Sequence, residues 1–115
     1  MSLDITRRKR DGATVLDVSG RVTAGAGANQ LREMVRQLSE GGERKVLLNL
    51  ADVEFLDSTG LGALAAASEM LRTRGGQLRV VNATGAVRHV FQITRLNKVF
   101  PDFGDEDAAL ASFAA

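Results

Sequence analysis

The 115-residue sequence contains no cysteine, which excludes disulfides and thiolate metal sites and fits a reducing compartment. No apolar run approaches the roughly 18 residues that span a bilayer. The first residues lack the apolar region of a signal peptide, so the expected location is cytoplasmic, with no membrane insertion. Gly-x-Ser-x-Gly is missing, and neither 20–27 nor 60–62 is followed by Lys-Ser or Lys-Thr. A nucleophile elbow and a phosphate-cradling loop are thereby excluded. The only histidine, His89, falls off the apolar stripe of its predicted helix and reads as solvated, not as a general base. Asp52, Glu54 and Asp57 form a loose acidic group whose spacing matches no cation-binding loop. These absences argue against an enzyme, a cofactor and a metal. Fifteen basic and fourteen acidic residues read as interspersed, with a net charge of +1, so the basic face of a nucleic-acid-binding domain is not expected. The one basic cluster, Arg7-Arg-Lys-Arg10, has no aromatic neighbours to stack on bases and reads as a solvated strand end.

What is present is the composition of one globular domain, 1–115, with 44% apolar and 25% charged residues. Residues 3–9 and 13–19 predict a hairpin turning at Asp11-Gly12. Ala24, Ala28, Leu31, Met34, Val35 and Leu38 recur at helical spacing, predicting a helix over 24–40 that Gly41-Gly42 stops. A strand over 45–50, a helix over 58–74, a strand over 77–82 and a short helix over 86–94 follow. Residues 98–100 read as an edge strand before Pro101, and 105–114 as a terminal helix capped by Asp105. The order ββαβαβαβα implies an α/β fold with a mixed, partly parallel sheet.

The most informative stretch is 46–62. Val46, Leu47, Leu48 and Leu50 form the apolar run of an interior strand, and Val53, Phe55 and Leu56 are expected to carry the chain over the sheet edge. Asp57-Ser58-Thr59 then offers three side chains able to cap a helix, while Gly60 and Gly62 remove bulk beside the serine. A hydroxyl shown at a helix N-terminus with little steric cover suits a place where phosphate is added, removed or read. On that helix Leu61, Leu64, Ala65, Ser68 and Leu71 form the expected core stripe. Thr59, Ala63, Ala66 and Met70 fall roughly opposite, as a flat apolar strip that either a partner or another element of the domain would cover.

Leu48-Asn-Leu50, Asp57-Ser-Thr-Gly-Leu-Gly62, the Gly75-Gly76 pair and the run from Ile93 to Phe100 resemble the STAS domain of anti-sigma factor antagonists, over nearly the whole chain. The resemblance implies a sheet of four to five strands packed mainly on one side by about four helices. It also implies a partner switch in transcription regulation. In that switch the unphosphorylated antagonist binds an anti-sigma factor that is a serine kinase with an ATP-binding domain, and so releases a sigma factor. Phosphorylation of the motif serine, here Ser58, breaks the complex, and a PP2C-type phosphatase restores it. By this resemblance Asp57, Ser58, Thr59, Gly60, Gly62, Ala63, Ala66 and Met70 are candidates for partner contact. Thr23 is a further candidate, since Gly20-Arg-Val-Thr23 has threonine where antagonists commonly carry aspartate. Thr23 also suits a cap for the first helix. Similar domains act as scaffold subunits of stress-signalling assemblies or docking subunits of membrane lipid transporters, without a cycling phosphoserine; that role is the alternative.

Overall fold

The computed structural model describes residues 3–101 and 103–114. Strands β1 (Leu3–Arg10) and β2 (Ala13–Val22) form the expected antiparallel hairpin. Asp11 and Gly12 have φ of 52° and 82°, as a two-residue type I′ turn requires. Helix α1 (Ala26–Glu40) leads to β3 (Lys45–Leu56), and α2 (Ser58–Arg72) leads to β4 (Gln77–Val81). Helix α3 (Gly85–Ile93), a 3-10 turn at Leu96–Lys98 and helix α4 (Glu106–Ala111) follow. The sheet order is β1-β2-β3-β4, with β3 parallel to both β2 and β4.

The run Val46-Leu-Leu48 is apolar at every position because both faces of β3 are covered. Val46, Leu48 and Leu50 join Leu16, Val18 and Val80 in a core that includes residues of α1, α2 and α3. Leu47 points the other way and packs with Val15, Val81, Ala109, Leu110 and Phe113 beneath α4. Three helices therefore cover one face and α4 the other.

Several expectations are corrected. The strand predicted to end at residue 50 continues to Leu56, because β2 also runs on to Val22 and pairs with it across two register shifts. The fifth strand at 98–100 is instead a 3-10 turn. Arg95 takes a left-handed backbone, and Val99 and Phe100 both donate to the Leu96 carbonyl, at 2.9 and 2.7 Å. This local pairing turns Phe100 inward to stack on Phe91, with ring centroids 6.0 Å apart. Helix α1 begins at Ala26, not residue 24, since Gly25 has φ 93° and cannot continue a helix.

The Arg7–Arg10 cluster is more than a solvated strand end. Arg8 donates to Asp17 (2.7 and 3.0 Å) and to both carboxylate oxygens of Glu106 (2.7 and 2.9 Å). Arg10 donates to Glu106 at 2.6 Å and pairs with Asp107. Lys9 reaches Glu43, which also accepts from the Thr14 hydroxyl. The two arginines thus latch the first turn of α4 onto the hairpin. They hold the Glu106 carboxyl well down, at about 2, chiefly through the Arg8 and then the Arg10 hydrogen bonds. A depressed carboxyl stabilises the fold fully above its unfolded value, near 4.5, and that contribution disappears as pH falls through about 2. Glu106→Gln is expected to lower Tm by a few degrees at neutral pH and to flatten the loss of stability between those two values. Circular-dichroism melts over a pH series check both.

Candidate functional site

Three contacts fix the start of α2. The Asp57 N–H donates to the Val22 carbonyl at 3.4 Å, joining the helix entry to the end of β2. The Asp57 carboxylate occupies the N-cap: Oδ1 accepts from the Gly60 N–H at 2.8 Å, and Oδ2 accepts from the Ala24 N–H at 3.0 Å. Gly60 is buried over β2, and a Cβ there would lie 2.0 Å from the Val22 oxygen. The hydrogen bonds from Ala24 and then Gly60 hold the Asp57 carboxyl below the usual carboxylate range. Asp57 is both a helix cap and a strut to the loop before α1.

On this platform the side chains of Ser58 and Thr59 are exposed and make no hydrogen bond among the described residues. The exposed stripe of α2 runs Ser58, Gly62, Ala65, Glu69 and Arg72, at alternating spacings of four and three. Leu61, Ala63, Leu64, Ala67 and Leu71 are buried with Gly60. This corrects the expected faces: Ala63 is core and Ala65 is solvent-facing. The helix packs against both the sheet and α1, so it buries a wider arc than one stripe of leucines predicts. Ala66 and Met70 are half-buried, and Met70 borders a small cleft with Arg36, Ser39 and Glu40 of α1. The strip foreseen for a partner is thus partly covered by the domain itself.

Thr23 lies close by, half-buried in the loop after β2, but it does not cap α1. Its carbonyl accepts from Ala28 N–H at 2.9 Å, while the cap position belongs to Gly25, with no side-chain bond. His89 is exposed, as expected.

The two glycines differ. Gly60 is required by the chain's own β2, whereas a Cβ on Gly62 would meet nothing within 4 Å. Nor does Gly62 have a positive φ. A glycine inside a helix costs about 0.5–1 kcal/mol relative to alanine, and no contact of this chain offsets that. A polar chain across the sheet carries no clear pattern in the sequence: Asn49 Nδ2 donates to Asp17 at 2.9 Å, and Asn49 Oδ1 accepts from Asn82 Nδ2 at 3.0 Å. Its only signal was a lone asparagine between two leucines. Gly60→Ala is expected to destabilise the protein by about 2–4 kcal/mol through collision with Val22. Gly62→Ala is expected to stabilise it by about 0.5–1 kcal/mol. Denaturant unfolding of the two variants reads both signs.

Comparison with known proteins places this arrangement. The STAS domain model matches residues 4–109. The BtrV protein of Bordetella bronchiseptica, named for anti-sigma factor antagonism, is 31% identical over 111 residues, covering 96% of this chain and 95% of its own. The crystal structure of an anti-sigma factor antagonist from Mycobacterium paratuberculosis superposes with a TM-score of 0.86 at 31% identity, over 99% of this chain and 96% of that one. Unphosphorylated SpoIIAA shares the fold at 22% identity and a TM-score of 0.76, with 91% and 92% of the chains covered. Phosphorylated SpoIIAA from Bacillus shares it at 20% and 0.70, with 91% and 96% covered. With its hairpin, its parallel strands and its capped Ser58 helix, this chain belongs to the STAS domain family, on the branch of the non-enzymatic anti-sigma factor antagonists.

Proposed function

We propose that this protein is a phosphorylation-controlled anti-anti-sigma factor. Its unphosphorylated form binds an anti-sigma factor that is also an ATP-dependent serine kinase, releasing a sigma factor. Phosphate on Ser58 blocks that binding, and a PP2C-type phosphatase removes it. The observation that carries the reading is the exposed, unpartnered Ser58 hydroxyl at the head of α2's solvent stripe, on a cap that is itself fully engaged.

The chemistry favours control at an interface over control of the fold. Phosphorylation adds about −1.5 to −2 charges and three acceptor oxygens. At a helix N-terminus the macrodipole favours that charge by roughly 0.3–1 kcal/mol, and the neighbouring Asp57 carboxylate opposes it. The two effects are small and opposite, so the fold survives. The shared fold of unphosphorylated and phosphorylated SpoIIAA supports this balance. Under a docked partner, an unpaired and desolvated dianion costs at least about 3 kcal/mol, roughly a hundredfold in affinity. The open space beside Gly62 supports the same surface, because it lets a partner's backbone approach α2 one turn past the serine.

Ser58→Ala is expected to retain the kinase partner and Ser58→Asp to bind at least about a hundredfold more weakly, with unchanged circular dichroism. Titration calorimetry against the purified kinase measures the difference. Equal affinities would remove the switch and leave a constitutive docking domain. Gly62→Ala is expected to weaken binding while stabilising the free protein.

A further inference from the structure

The sheet ends at β4, and much of that edge is open. Val81 forms a parallel bridge with Phe103, but residues 77–80 have no strand beyond them among the described residues. The Gln77 N–H donates toward β3, to the Arg44 carbonyl at 2.7 Å. Backbone groups alternate sides along a strand, so the N–H and C=O of Leu78 face the open edge. The Leu78 carbonyl meets only the Arg79 guanidinium there, at 3.4 Å, and its N–H has no partner among the described residues.

Two clefts meet at this edge and share Gly76 and Gln77. One is walled by Ser68 and Arg72 of α2, by Leu78 and by Val99, whose side chain is 57% exposed. The other is walled by Arg44, Lys45 and Phe113. Arg79 joins them: it lines the first cleft and lies 5.4 Å above the Phe113 ring of the second. Arg74 adjoins, since Arg44 and Arg74 both donate to the Ser39 carbonyl, at 3.3 and 3.5 Å. Among the described residues Arg44, Lys45, Arg74 and Arg79 pair with no carboxylate; their bonds go to carbonyls and to the Ser112 hydroxyl. Arg72 has only an exposed pair with Glu69, and residues 72–101 contain no aspartate or glutamate.

We propose that this edge is a second docking site, which takes an extended acidic segment of a partner protein as an added strand beside β4. Side chains of such a segment alternate between the two clefts. Its carboxylates meet Arg72 on one side and Lys45 and Arg79 on the other, an apolar residue covers Val99, and its backbone pairs with Leu78. A peptide fits better than the other polyanions. A lipid surface or a nucleic-acid strand offers no row of amides to Leu78, and the one aromatic ring here, Phe113, is buried beneath Arg79 and cannot stack on a base. The site is remote from Ser58. Ser58 opens α2 and Arg72 closes it, about 21 Å away at 1.5 Å per residue, so the two surfaces can be occupied together.

A fluorescein-labelled octapeptide of alternating glutamate and valine, titrated into the intact chain, tests this by fluorescence anisotropy and amide NMR. Saturable binding is expected, with amide shifts at 44–45, 72–79 and 99, none at 58–62, and slower hydrogen exchange of the Leu78 N–H. The double variant Lys45→Glu/Arg72→Glu changes two exposed side chains, so its melting curve should be unaltered while binding weakens at least about tenfold. N-methylating the alternate set of peptide amides that faces β4 should weaken binding as much, and N-methylating the other set should not. No binding at millimolar peptide, indifference to the charge reversal, equal tolerance of both N-methylated peptides, or shifts centred on 58–62 would each overturn the proposal. So would tighter binding to vesicles of phosphatidylglycerol or to single-stranded DNA than to the peptide. Ser58→Asp should bind the probe unchanged, which keeps this result independent of the phosphoserine switch.

Discussion

The first turn of α2 rests directly on the backbone of β2, and the geometry of the Ser58 region depends on that contact. Gly60 lets the helix approach the Val22 carbonyl to a distance no side chain would permit. The Asp57 N–H binds the same carbonyl, and its carboxylate ties the helix cap to the loop at Ala24. Three segments distant in sequence, the end of β2, the entry to α1 and the start of α2, are thereby held as one piece. Ser58 and Thr59 are what remains outside it. A hydroxyl presented from so constrained a base has a defined position before any partner arrives, which lowers the ordering cost of recognition.

The order of elements was legible in the sequence where local chemistry decides it. Asp11-Gly12 dictates its hairpin turn, the glycine pairs after α1 and α2 mark their ends, and Asp57 and Asp105 both act as the N-caps their positions suggest. What was not legible is set by contacts between distant residues. The extension of β3 to Leu56 depends on β2 running on beside it, which no local pattern in 51–56 reveals. The burial of Ala63 depends on α1 lying against α2, since alanine is neutral to either environment until a neighbour is placed. The turn at residues 95–98 depends on Arg95 adopting a backbone unusual for its type.

The candidate site was legible in its identities but not in its division of labour. Asp57, Ser58, Gly60 and Gly62 all stand out in the sequence, and side by side they look alike in purpose. The structure separates them: Asp57 and Gly60 build the platform, while Ser58 and Gly62 face solvent. Thr23 sits near the platform without the capping role its type suggests. The Asp17–Asn49–Asn82 chain was silent in the sequence because its members come from three different strands or strand ends.

The latch between Arg8, Arg10 and the start of α4 has a bearing on where anything can be attached to this domain. Leu3 pairs with Gly20, two residues before Val22, so β1 starts at the pole of the molecule that holds Ser58. From α4 the chain runs to Phe113, which lines a cleft with Arg44, Lys45 and Gln77, where β3 and β4 begin. That is the opposite pole. A fluorophore, an affinity tag or a fused domain joined after α4 would leave the Ser58 surface clear, and the same addition placed ahead of β1 would crowd it.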